Sequence, residues 1–302
     1  MNALLMAANV ALTAFSAMFM KKSKNVAGSG WTTGLFFTLF VAVFSIALLL
    51  LVNLFSVTLY PANYVFAFAY AAVGTVSTVV GLKAYAAGKV ATYVVATTVG
   101  STALPYLFGI LFWNEGVTAV KMIGVALMLC AFVLKNLPKK GGQATETEKK
   151  KGAGGAVFLC LAGAVISGVA NIVISYNARF APETDAVSFS VLTQGFVFAI
   201  VVILLLARFP KTKAVLKENK ALYGGRNFAA CALYAATCGG ALICSLEGAK
   251  HLPASVFFPV TCSGNIVLVT LLDYLFYKEK PTWKDLLAVA VIIPAIVLVS
   301  LG

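Results

Sequence analysis

Ten stretches of predominantly apolar residues run through the chain, at about 2–20, 33–52, 63–82, 90–113, 117–135, 154–178, 186–207, 226–246, 254–277 and 282–301. A helix needs about 20 such residues to cross the hydrocarbon of a bilayer. The pattern therefore predicts an all-α integral membrane protein of ten transmembrane helices. Most gaps between the stretches are short and hold charges and turn residues, with Pro61, Pro182, Pro210 and Pro281 among them, where proline does least harm.

Composition agrees. The 302 residues are 61% hydrophobic and 11% charged. A soluble domain carries about 25% charged residues, so this surface cannot be wetted all round. The net charge of +13 lies in short runs between apolar stretches, as in membrane proteins, and no nucleic-acid-binding face is expected. The lipid bilayer and a small-molecule substrate are the expected partners. Lys21, Lys22 and Lys24 follow the first apolar stretch, the wrong order for a cleaved leader, so that stretch is read as a retained helix. Cys130, Cys160, Cys231, Cys238, Cys244 and Cys262 all fall in apolar stretches without a CxxC pair and read as small buried hydrophobes. His251 is the sole histidine, which excludes a His-rich metal site, and neither metal nor cofactor is expected.

The longest polar segment, Pro138 to Gly154, is rich in Gly and Lys and lacks apolar periodicity. It reads as a basic cytoplasmic linker over 138–153, dividing a first five-helix repeat (1–137) from a second (154–302). A repeat is visible in the sequence. A shift of 164 residues aligns 97–134 with the second half without a gap, giving 13 identities in 38 positions. Thr97/Thr261, Gly100/Gly264, Phe112/Phe276, Glu115/Glu279 and Thr118/Thr282 carry it. Five is odd, so tandem five-helix units enter the membrane in opposite senses, the inverted-repeat architecture of many secondary transporters.

Loop charge sets the orientation. Of the 23 Lys and Arg, 20 lie after helices 1, 3, 5, 7 and 9, and three, Lys121, Arg179 and Lys250, lie on the other side. The positive-inside rule places the loaded side in the cytoplasm, so both termini are expected outside the cell membrane.

Two joints carry a family resemblance: Trp113-Asn114-Glu115-Gly116-Val117-Thr118, running on to Ile123-Gly124, and Tyr277-Lys278-Glu279-Lys280-Pro281-Thr282. With ten helices in two fives, the chain resembles the drug/metabolite transporter superfamily, in particular its EamA-like members. The resemblance implies a carrier, often an exporter, that moves small metabolites by alternating access. Members are usually drawn with both termini in the cytoplasm; the charge count here gives the reverse.

Polar side chains in hydrocarbon are costly unless they face a partner or a wet cavity. Asn9, Thr13 and Ser16 in helix 1, Ser167, Asn171 and Ser175 in helix 6, Tyr93, Thr97 and Ser101 in helix 4, and Thr261 and Asn265 in helix 9 lie mostly at i, i+4 spacing, one face per helix. Four such stripes on repeat-related helices would build a polar chamber, and Asn9, Thr13, Ser16, Tyr93, Thr97, Ser101, Asn171, Ser175, Thr261 and Asn265 are the candidate substrate contacts. The same residues also serve as packing glue between helices or bond back to their own helix. Pro105 in helix 4 frees the Ser101 carbonyl on that face, and Pro259 in helix 9 frees that of Ser255. Lys83 and Glu247, 164 residues apart, could grip a zwitterion, bind each other or snorkel to headgroups; Asp273 poses the same choice. Glu115 and Glu279 are read as structural caps of helix amides.

No carboxylate lies at the middle of a span, which disfavours a proton-coupled multidrug antiporter for cations. There is no Walker motif, HExxH or GxSxG context. The sequence thus points to a non-enzymatic secondary transporter of a small polar metabolite, amino-acid-like and neutral or zwitterionic, working by alternating access as exporter or exchanger. An intramembrane lipid-handling enzyme or a non-transporting membrane protein stays open, as does the oligomeric state. Solute-dependent stabilisation would favour the carrier, and lipid turnover the enzyme.

Overall fold

A computed structural model describes residues 2–27, 31–58, 60–86, 90–116, 118–136, 153–218, 224–278 and 282–301. Of the expected linker over 138–153, residues 138–152 lie outside them, and Ala153 opens a helix. The described residues form eleven helices: α1 (Asn2–Ala27), α2 (Trp31–Val52), α3 (Pro61–Ala86), α4 (Val90–Trp113), α5 (Ala119–Asn136), α6 (Ala153–Phe180), α7 (Ala186–Ala207), α8 (Phe209–Glu218), α9 (Gly225–His251), α10 (Ala254–Tyr277) and α11 (Trp283–Leu301). Among the described residues there is no strand. Among the described residues seven helices are long and apolar enough to cross a membrane, and α5 and α11 hold shorter apolar windows, Ala119–Ala131 and Leu286–Val299.

The ten apolar stretches each correspond to one long helix. The addition is α8, ten residues long, inside the loop expected after the seventh stretch. Pro61 and Pro210, expected in gaps, sit in the first turns of α3 and α8. A missing N–H costs nothing there, and the fixed φ suits a helix start.

Local chemistry sets the helix ends. Asp185 caps α7, its carboxylate accepting the N–H groups of Val187 and Ser188. Asn114, after α4, and Lys278, after α10, both take the left-handed conformation, at φ 52° and 53°. That conformation ends a helix; glycine and asparagine favour it, and lysine enters it at a cost of about 1 kcal/mol. The two residues are 164 apart, as are the first residues of α4 and α10, Val90 and Ala254.

The halves interleave. Helix α1 lies against α9 and α10, α6 against α3 and α4, α2 against α7 and α9, and α3 against α7, while α4 meets α10 and α5 meets α11. One core cluster joins Tyr106, Val125 and Met128 of the first half to Val260, Ala288 and Ile292 of the second. Another joins Ala67 to Ile174, Phe189, Leu246 and Phe257. Large apolar side chains such as Leu111, Phe112, Leu161, Ile203 and Leu271 point outward. A soluble protein does not expose apolar surface on this scale; lipid requires it.

The α4–α6 seam is close-packed at one glycine. A methyl group built on Gly100 would lie 2.0 Å from the Ala164 carbonyl oxygen. Only glycine permits that approach.

Candidate functional site

A cavity of about 190 Å³ opens between α2, α3, α7 and α9. Phe37, Thr38 and Val41 come from α2, Tyr70, Gly74 and Thr75 from α3, Thr193, Gln194 and Val197 from α7, and Tyr234 and Cys238 from α9. Thr193 lies eight residues past the Asp185 cap, about 12 Å along α7 at the α-helical rise. Tyr234 lies nine residues into α9 from the opposite end of the bundle, about 14 Å along. Both distances put the cavity near the middle of the helices.

The lining is matched between the halves. Tyr70 and Tyr234, and Gly74 and Cys238, are 164 residues apart. Helices α2 and α7, each 22 residues long, contribute three residues apiece, Phe37, Thr38 and Val41 from one and Thr193, Gln194 and Val197 from the other.

The walls supply aromatic surface and hydroxyl oxygens. Thr38 donates to the Gly34 carbonyl at 3.0 Å, Thr75 to that of Ala71 at 2.8 Å and Thr78 to that of Gly74 at 3.0 Å. Each spends its proton on its own helix and keeps an oxygen as acceptor. Thr193 differs: it is 1% exposed and its hydroxyl has no partner. The Gln194 amide makes no hydrogen bond to a described residue. A buried hydroxyl without a partner costs about 1–3 kcal/mol, which a bound solute or water would recover. Among the described residues no group of three His, Cys, Asp or Glu is placed to hold a metal.

At one end of the bundle, the halves meet through charge. Glu115 accepts the Ala254 N–H at 3.1 Å, the Ser255 N–H at 2.9 Å and an Arg179 guanidinium nitrogen at 2.7 Å. Arg179 lies 4.4 Å over the Trp113 ring, inside a cluster with Phe108, Tyr176 and Phe180. Glu115 therefore caps α10, a helix of the other half, where exposed amides and the positive dipole end attract a carboxylate.

The model of the EamA-like transporter family matches residues 154–301. The second half of the chain is EamA-like. The match is consistent with a member of the drug/metabolite transporter superfamily, a multi-pass membrane protein and a transporter of that type. A crystal structure of another protein overlays 99% of this chain and 96% of its own at TM-score 0.73 and 18% identity, which establishes a shared fold across both halves. No curated protein sequence matches. The EamA-like family is one of transporters, consistent with a chain that is not an enzyme.

None of the ten candidate contacts lines the cavity. Asn9 spans α1 to α9, its amide donating to the Ala241 carbonyl at 2.8 Å and Ser245 Oγ at 2.7 Å. Ser16 bonds back to the Thr13 carbonyl. The EamA-like half meets α4 through α6. There Asn171 donates to the Ser101 carbonyl at 2.9 Å and Ser167 to that of Thr97 at 2.8 Å. Thr97 itself donates to the Tyr93 carbonyl, and the Tyr93 hydroxyl to that of Ser77. Ser101 Oγ lies 3.6 Å from Cys262 Sγ of α10. Thr261 bonds back to Phe257 and Phe258. Ser175 Oγ and Asn265 Oδ1 are buried without partners. The stripes thus meet along two helix seams.

Glu247 pairs with Lys250 at 2.8 Å, and Lys250 also donates to the Thr184 carbonyl at 2.7 Å. The side chains of Lys83 and Asp273, and all of Glu279, lie outside the described residues.

The cavity residues were missed from sequence. The 164-residue register already paired Tyr70 with Tyr234, and Gln194 stands out as an amide deep in an apolar span.

Proposed function

We propose that the chain is a secondary transporter that carries a small polar solute through the α2–α3–α7–α9 cavity by alternating access. The observation that carries this reading is the matched lining of a mid-helix cavity. A site to which both halves contribute can open to either side as those halves rock. The solute is amino-acid-like in size, neutral or zwitterionic, and is exported or exchanged across the cell membrane. Phe37, Tyr70 and Tyr234 would cover its apolar faces, and Thr193 and Gln194 would bond its polar groups.

Ten spans in two inverted five-helix repeats belong to the same proposal. Supporting it, most of the packing pattern maps onto itself when α1 exchanges with α6, α2 with α7, α3 with α9, α4 with α10 and α5 with α11, the α6–α9 contact being the main exception. The shared register of Asn114 with Lys278 and of Val90 with Ala254 supports it too. The basic loops face the cytoplasm and both termini lie outside. In this scheme the ten candidate contacts border the moving seams and reach solute only when those seams part.

The test is counterflow in proteoliposomes across a panel of neutral, zwitterionic and charged metabolites. The proposal expects saturable exchange of at least one small polar solute, lost in Gln194→Leu. Absence of exchange across the panel, or full activity in that variant, overturns it.

A further inference from the structure

Helix α8 does not span anything, and its two faces differ. On one face Thr212, 7% exposed, donates to the Leu205 carbonyl at 3.0 Å. Val215 packs on the cluster of Leu35, Phe36, Val201 and Leu205 from α2 and α7. A ten-residue helix is not stable alone in water, so this docking holds α8 and fixes which way it turns. The other face carries Phe209, Lys213 and Lys217 at four-residue spacing, all exposed.

The order of groups along this surface follows that of a bilayer. Ile203 and Leu206, 65% and 63% exposed, form the outward apolar side of α7. Phe209 comes next, 58% exposed, and the ammonium groups of Lys213 and Lys217 follow. Acyl chain, interface and headgroup would meet apolar, aromatic and basic side chains in turn. We propose that α8 is an interfacial helix whose Phe209–Lys213–Lys217 face binds the headgroup phosphates of anionic phospholipids. The charge complement is strong: the chain carries +13, and in the ten-span arrangement proposed above 20 of its 23 basic residues, in the connections or at the adjoining helix ends, lie on the α8 side. The proposal does not depend on which solute is carried.

The experiment uses the full chain, purified in mild detergent and offered phosphatidylglycerol or phosphatidylcholine, with retained lipid read by native mass spectrometry. Wild type is expected to retain phosphatidylglycerol over phosphatidylcholine. Each of Lys213→Gln and Lys217→Gln should lower that preference about fivefold, and the pair about 25-fold, from the attraction of one basic side chain near an anionic surface. Lys121→Gln, at the other end of the bundle, should leave it unchanged. Equal retention of the two lipids by wild type, or an unaltered preference in the double variant, overturns the proposal. Both lysines are exposed, and a matching melting temperature shows that each variant is folded.

Discussion

Arg179, in the last turn of α6, donates to Glu115 at 2.7 Å, and that carboxylate simultaneously caps the first amides of α10. The Glu115 side chain is 6% exposed and that of Arg179 41%, so the two partners do not contribute alike. The capping bonds are sheltered, while water screens much of the ion pair. Glu115→Ala should lower unfolding stability by about 2 kcal/mol, mainly from the lost cap. Arg179→Ala should cost less, about 1 kcal/mol or under. Thermal melts in detergent rank the two, and a larger loss in the arginine variant would contradict the capping account.

The Asn171–Ser101 bond answers the hydrogen bond that Pro105 cannot make. Proline leaves the Ser101 carbonyl without its helical donor, and the Asn171 amide supplies one from α6. Asn171→Leu should then cost about 1–3 kcal/mol, the penalty of an unsatisfied buried group. In a Pro105→Ala background residue 105 regains an N–H for that carbonyl, so the same substitution should cost clearly less. A double-mutant cycle measures the coupling; strict additivity would show that the two residues act independently.

The glycines differ sharply in the space around them. At Gly100 a methyl group meets backbone at 2.0 Å, at Gly264 it meets the Val10 side chain at 3.0 Å, and at Gly74 nothing lies within 4 Å. Gly100→Ala is expected to abolish folding or cost several kcal/mol, since helix backbone cannot yield. Gly264→Ala should cost about 1 kcal/mol. Gly74→Ala should hold or gain stability from helix propensity, about 1 kcal/mol at most, while narrowing the cavity. Expression yield and melting temperature give the order.

Thr193 offers a separation of stability from activity. Its hydroxyl is buried without a partner, so Thr193→Val removes a desolvated polar group and should leave stability unchanged or raised by about 1 kcal/mol. Solute exchange should nevertheless fall about tenfold, the worth of one hydrogen bond of about 1.4 kcal/mol. A destabilised variant with normal exchange would place that hydroxyl in the fold and remove it from the site.

Acid should act through Asp185. Burial pushes its carboxyl upward, but bonds from the Ser188 hydroxyl, the Ser188 and Val187 N–H groups and the nearby Lys250 ammonium outweigh this and hold it below the usual range. A carboxyl depressed in the folded state lends stability that is whole above about pH 3.9, its unfolded value, and drains as pH falls through the folded value. Wild type should therefore lose melting temperature more steeply than Asp185→Asn below about pH 4. Parallel acid limbs would show that another group controls that range.

The helices were legible because hydrocarbon sets their length: each apolar stretch became one helix. Helix α8 was not, because Phe209, Val215 and their neighbours give too short an apolar pattern to separate from a loop. The polar stripes were read as facing either a solute or a neighbouring helix, and spacing along one helix does not tell a neighbouring carbonyl from a solute. Asn171 faces Ser101, and Asn9 faces Ala241. Glu115 was legible as a cap, while the identity of its helix was not, because α10 begins 139 residues later in the chain. Tyr70 and Tyr234 needed only the existing register carried back into α3 and α9.

The interleaving of the halves bears on how the chain can be divided. Helix α1 rests on α9 and α10, and α6 on α3 and α4, so neither half encloses its own core. A gene cut in the 138–152 segment would yield two fragments that are each unstable when made alone and are rebuilt only by meeting. Assembly would then become a second-order process. What is now a covalent link would have to be replaced by concentration, and the linker's contribution could be read directly as an effective molarity.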